Sequence, residues 1–142
     1  MEHLSPVPES VIDALPVLDA NQLGRSIRRH TEMEGLPDLD GIKVAIVGVQ
    51  EDRRAYRNVG CDGAADAIRP FLYQLYKGKW DYGIADLGNL YKGERHTDTL
   101  LSLKKSAQEL LQRPIIFTAN GGSQELTPTD NRGYAPWEHF VQ

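Results

Sequence analysis

Pro114-Ile115-Ile116-Phe117-Thr118-Ala119-Asn120-Gly121-Gly122-Ser123-Gln124-Glu125-Leu126-Thr127 reads as a buried strand, a two-glycine turn and a polar tip. An apolar run this short, entered by Pro114 and stopped by Asn120-Gly121-Gly122, has the length and flanks of a parallel strand. A strand covered on both faces need not alternate apolar and polar residues. In open α/β sheets, ligands sit just past the carboxyl ends of such strands. Gly121, Gly122, Ser123 and Gln124 are therefore the first candidate ligand-binding residues. The backbone N–H groups of such a turn would suit an anion. The plainer reading, favoured for the chain in isolation, is that the glycines let the strand turn.

Working back from that strand, Ile42-Lys43-Val44-Ala45-Ile46-Val47-Gly48-Val49 is the strongest strand by β-branched content. Trp80-Asp81-Tyr82-Gly83-Ile84-Ala85-Asp86-Leu87-Gly88-Asn89 reads as a second strand ending in a tight acidic turn. Between the two, residues 64–76 read as a helix with Ile68, Leu72 and Leu75 as its buried stripe and Phe71 beside it. Pro70 then requires the helix to begin near Asp66, where a missing N–H has no partner to lose. Residues 99–112 give the clearest amphipathic helix, capped by Asp98, with Leu100, Leu103, Ala107, Leu110 and Leu111 at spacings of three and four. Thr127-Pro128-Thr129-Asp130 signals one more short helix. Strands alternating with helices imply an α/β fold: a parallel sheet with helices on both faces.

Residues 1–41 precede this unit as an amino-terminal arm and helix. Pro6, Pro8 and Pro16 exclude a long helix at the start and leave room for one turn at residues 10–15. A helix is expected from Asp19: Asp19 caps, Gln22 completes a capping box, and Leu18 and Leu23 form a staple. It fades by residues 31–35, so that Arg25-Ser26-Ile27-Arg28-Arg29-His30 is its solvated basic end. The arm is expected to pack over the sheet edge or onto another subunit.

At 142 residues and 40% hydrophobic content the chain can build its own core, and its net charge of −4 argues against a nucleic-acid footprint. The lone Cys61 excludes an internal disulfide and fits a reducing compartment. No apolar run approaches the ~20 residues of a membrane span. A cytoplasmic protein is the expectation, with no membrane partner.

Asp52 and Asp86 stand at expected strand ends and join the candidate ligand-binding set, although carboxylates there also serve to accept loop N–H groups. Glu94-Arg95-His96-Thr97-Asp98 has metal-cluster spacing but lies in a loop entering a helix; Asp98 is wanted as a cap, and Glu94 and His96 are read as solvated. No residue is assigned as catalytic.

Val44-Ala45-Ile46-Val47-Gly48-Val49 with Glu51-Asp52 opens a series of segments that continues with Asn58-Val59-Gly60 and Gly63-Ala64-Ala65-Asp66-Ala67-Ile68-Arg69. Asp86-Leu87-Gly88-Asn89 and Gly121-Gly122-Ser123-Gln124-Glu125-Leu126-Thr127 complete it. In order and spacing these resemble the ureohydrolases, the arginase, agmatinase and formimidoylglutamase family, most of all its formimidoylglutamase-like branch. The resemblance spans about residues 42–134. It implies a three-layer αβα fold whose first three strands lie in the order 2-1-3, so that residues 42–142 would be a partial ureohydrolase-like domain. It also implies a two-manganese centre at the strand ends, where a metal-bound hydroxide attacks a linear amidine.

The chain departs from that pattern where the metal would bind. The family's glycine pair is followed two positions on by a metal-ligating histidine, and here that position is Gln124. An amide is a poor manganese ligand beside an imidazole. The family's later aspartate-rich motifs have no counterpart before Gln142. No cofactor is therefore expected in this chain. Three readings stand: a metal-dependent amidine hydrolase, complete only with further chain; the amino-terminal portion of a ureohydrolase-like protein that works by binding or assembly; and a small anion-binding α/β module. The second is preferred. It carries an expectation of homo-oligomerisation, or pairing with another chain, through the edge of the third strand.

Overall fold

Ile42–Val49 forms the central strand because five of its eight residues are β-branched and nearly all are buried, leaving no solvated face. The computed structural model describes residues 1–55 and 57–120. In chain order these form β1 (Leu4–Ser5), α1 (Glu9–Asp13), β2 (Arg28–Arg29), β3 (Ile42–Val49), α2 (Ala64–Gln74), β4 (Gly83–Leu90), α3 (His96–Leu110) and β5 (Ile116–Asn120). Strand β3 lies between β4 and β5, parallel to both, with Ala45 opposite Ala85 and Phe117. The far edge of β4 is shared by β1, antiparallel with Leu4 opposite Leu90, and by β2, parallel with Arg28 opposite Ala85. The architecture is mixed α/β, and the sheet is mixed where a purely parallel one was expected. Strand β1 comes from the amino-terminal arm, with no crossover helix to set its direction, and Pro6 ends it by lacking the next N–H.

Alternation along β3 divides the core. Ala45, Val47 and Val49 join Leu87, Leu103 and Leu110 beneath α3. Val44 and Ile46 face the other way, onto Leu23, Ile27, Tyr73 and Leu72. No helix among the described residues is long and apolar enough to cross a membrane.

The helix expected from Asp19 does not form. Half of its capping box is present, since the Asp19 N–H donates to Gln22 Oε1 at 2.7 Å. Beyond it, long-range partners take the backbone: Leu23 N–H donates to Leu75 O at 2.8 Å and Lys77 N–H to Asn21 O at 2.7 Å. Only a single 3-10 turn, Leu23–Arg25, remains before β2. Gly24 allows this route, because a Cβ there would meet Tyr73 Cβ at 2.9 Å. The basic stretch is consequently no helix end. Arg28 caps Asp38 O and Asp40 O at 2.8 Å each, Arg29 lies over the Tyr73 ring, and His30 is buried with Nδ1 3.0 Å from Leu87 O.

Helix α2 forms but begins at Ala64 rather than Asp66, which places Pro70 in its interior and leaves Asp66 O without its i+4 donor. Its orientation also differs from the apolar stripe. The buried residues are Ala65, Arg69 and Tyr73, spaced at four; of the expected stripe Leu72 packs against the core, while Ile68 and Leu75, with Phe71 beside them, are exposed. Helix α3 starts at His96 with Arg95 as N-cap; Asp98, expected as the cap, is the third helical residue and accepts the Arg95 N–H at 2.9 Å.

Candidate functional site

Immediately after β3 the chain places Glu51, Asp52 and Arg53 beside the first turn of α3. Glu51 is fully buried. Its carboxylate accepts from Arg53 N at 2.9 Å and Nε at 2.9 Å, from Arg53 Nη2, and from Thr99 Oγ1 at 2.8 Å. Arg53 also donates to Glu94 O at 2.7 Å, joining the β3 end to the loop after β4. A carboxylate beside the first turn of a helix is further stabilised by the partial positive charge there. These hydrogen bonds, that from Arg53 foremost, outweigh burial and hold the Glu51 carboxyl down to about 2.

Next to it, Asp52 accepts from Lys92 Nζ at 2.7 Å and from Gly60 N at 2.9 Å. The Lys92 contact, followed by the Gly60 N–H, lowers the Asp52 carboxyl below its usual value. Lys92 reaches Asp62 as well, at 3.4 Å. His96, at the start of α3, is buried and not solvated as expected; its Nδ1 has no hydrogen-bond partner and lies 3.8 Å from Glu51 Oε2. Among the described residues no group of three or more His, Cys, Asp or Glu side chains is arranged to hold a metal.

The second charged cluster is sealed between α2 and β4. Arg69 and Asp86 are 2% and 0% exposed. Arg69 Nε and Nη2 grip the two Asp86 oxygens at 2.8 and 2.9 Å, a bidentate pair. Its other N–H groups reach Gly88 O at 2.8 Å, Asn89 Oδ1 at 2.6 Å and Asp66 Oδ1 at 2.6 Å. Asp86 further accepts from Tyr73 OH at 2.8 Å and Gly88 N at 3.0 Å. Burial works against the Arg69 charge, but Asp86 prevails and raises its pKa; burial first and then Asp86 push the Tyr73 hydroxyl up.

Of the residues singled out from sequence, Asp52 does lie past the end of β3, where it is neutralised by Lys92. Asp86 does not end a strand: β4 runs on to Leu90, and Asp86 is an interior residue turned to α2. The two aspartates share no hydrogen-bond partner: Asp52 is held by Lys92 and Gly60, Asp86 by Arg69, Tyr73 and Gly88. Gly121, Gly122, Ser123 and Gln124 lie outside the described residues, as does the expected helix near residue 127. Glu51, Arg53, Thr99, His96 and Arg69 were not foreseen. The run Glu51-Asp52-Arg53 directly after the strongest strand was the available signal for the first two, and the i, i+4 spacing of Ala65, Arg69 and Tyr73 for the last. A separate cavity of about 470 Å³, floored by Val7 and Ile12 and walled by Glu9 and Glu34, contains none of these residues.

No known protein family, no curated protein and no solved structure matches this chain.

The Glu51 cluster makes stability depend on acid. A carboxyl depressed in the folded state contributes stability above its unfolded value of 4.5, and that contribution is lost as pH falls through about 2. Urea midpoints measured across that window should fall more steeply for the wild type than for Glu51→Gln. Parallel curves would show that the Arg53–Glu51 pair carries no linkage.

Proposed function

We propose that this chain is the amino-terminal part of an arginase/formimidoylglutamase-like protein, and that it works by binding or assembly and not by manganese-dependent hydrolysis. The observation that carries this reading is the state of the carboxylates past β3. Glu51 is bound to Arg53 and Thr99, and Asp52 to Lys92 and Gly60. A manganese ion taking either oxygen set would have to displace a cation and be held beside it, which is electrostatically costly. The parallel neighbours β4, β3 and β5, with α2 and α3 between them in sequence, support the family reading, because an arginase-like sheet orders its first three strands in that way. Assembly is proposed through β5, which among the described residues pairs only with β3 and carries Ile116 at 65% exposure. A cytoplasmic setting belongs to the same proposal.

Elemental analysis of the purified chain after incubation with manganese and desalting tests the reading. The expected result is manganese well below one ion per chain. A stoichiometric signal overturns it.

A further inference from the structure

Among the described residues, His96 Nδ1 is the one buried side-chain nitrogen or oxygen left without a hydrogen-bond partner. The residue is 9% exposed, and Nδ1 stands 3.8 Å from Oε2 of the fully buried Glu51. Neither neutral tautomer settles this contact. A proton on Nδ1 is too distant to be shared with the carboxylate, and a bare Nδ1 sets a lone pair against it. A protonated ring would settle it, since a charged N–H donates to a carboxylate at about 2.7–2.9 Å, roughly 1 Å closer than the ring now stands. His96 is the first residue of α3, where backbone N–H groups have no helical partner to tie them down.

We propose that His96 is an acid-operated latch: a solvent proton taken up at Nδ1 lets the ring replace Arg53 on Glu51, and the loop after β4 is thereby released from the end of β3. Glu51 Oε2 already accepts from Arg53 Nη2 and from Thr99 Oγ1, which fills its two lone pairs. Thr99 is fully buried on α3 and is also held by the Gly93 N–H at 3.0 Å. The Arg53 side chain is 30% exposed and can turn to water, so the arriving cation displaces it and not the threonine. Arg53 Nη1 then gives up Glu94 O, to which it donates at 2.7 Å in the latched state.

The surrounding charges favour the exchange. From the β3 end, Glu51 attracts a charged ring and Arg53 opposes it. From the loop after β4, Glu94 attracts while Arg95 and Lys92 oppose, but Arg95 is taken up by Asp98 on α3, and Lys92 by Asp52 and Asp62. The partial positive charge at the start of α3 also opposes. Glu51 decides, because among the described residues it is the one carboxylate within 4 Å of the ring nitrogens, in a site with little water to screen it. Departure of Arg53 removes the nearest opposing cation. Histidine is the side chain that ordinarily changes charge between about pH 5 and 8, and such protonation is a known way to move a bistable element. Glu51, held down to about 2, is ionised throughout that range. The contacts of Asp52 with Lys92 and Gly60 include neither partner of the exchange, so the release is confined to residues 93–95.

Heteronuclear NMR of the folded protein, titrated from about pH 8 to about 5, tests the latch. His96 Nδ1 is expected to take up a proton, and the Gly93 and Glu94 amide signals to shift with the same midpoint. Protection of the Arg53 Nε–H against solvent exchange should fall about tenfold or more over that step, as loss of a charged hydrogen bond requires. The Gly60 amide, bonded to Asp52, should not follow the step. In His96→Gln the Gly93, Glu94 and Arg53 signals should lose the step. The wild-type titration decides the matter even where that variant fails to fold. A ring that protonates while Arg53 stays protected overturns the proposal, as does a ring that remains neutral at the acid end. The same step in a folded His96→Gln protein overturns it too.

Discussion

Replacing Arg69 with methionine is expected to lower the unfolding free energy by about 3–5 kcal/mol, because it strands the Asp86 charge in a site with no access to water. Methionine fills much of the same volume, so the loss comes from the missing guanidinium and not from a cavity. That one group donates to both Asp86 oxygens, the Gly88 carbonyl, Asn89 and Asp66. The double variant Arg69→Met/Asp86→Asn should recover part of the loss: a neutral amide can still accept from Tyr73 or Gly88 without carrying a buried charge. Chemical denaturation of the four proteins in this cycle gives the coupling, expected above about 1 kcal/mol. A cost below about 1 kcal/mol for Arg69→Met would mean that Asp86 is not held as an ion there.

Gly88→Ala is expected to be of similar severity for a different reason. Gly88 has φ +84°, inside β4 at the irregularity that shifts its register against β3 between Ile46 and Gly48. A side chain costs about 1–2 kcal/mol in that conformation. Its Cβ would also overlap the carbonyl oxygen of Ser5, a backbone atom that cannot swing aside without moving β1. Overpacking adds about 1–3 kcal/mol, for a total of about 2–5. Gly41→Ala is the control, since Gly41 has φ +77° with nothing within 4 Å of its added Cβ. It should show the conformational cost alone. Equal losses in the two variants would show that contact with β1 is not what makes glycine necessary at residue 88.

The parts legible in the sequence are those whose local signals agree with their surroundings. Strand β3 and helix α3 could be placed because an uninterrupted β-branched run and an i, i+3, i+4 apolar pattern have the same partner, the core between them. The Asp19 helix failed because its cap and staple are local, whereas Leu23 and Lys77 use their N–H groups across more than fifty residues of sequence. Such pairing leaves no mark in a window of ten residues. The face of α2 was misread for an electrostatic reason. Apolar periodicity turned Ile68, Leu72 and Leu75 inward; Leu72 does pack on the core, but a buried carboxylate on β4 required Arg69 on that side, and the cost of an unpaired charge exceeds that of exposing a few apolar side chains. The candidate site was legible only in its location past β3. Its neutralisation was not, because Lys92 and Thr99 reach Asp52 and Glu51 from the far side of β4, 40 and 48 residues on.

The pairing of β1 with β4 has a consequence for how the molecule is made. Ser5 Oγ bonds to Asn89 O across 84 positions of sequence, so β1 leaves the ribosome well before its neighbour β4 has been translated. At about 5–20 residues per second that wait is roughly 4–17 s. During it, Leu4, Val7 and Val11, all destined for burial, are open to chaperones and to other nascent chains.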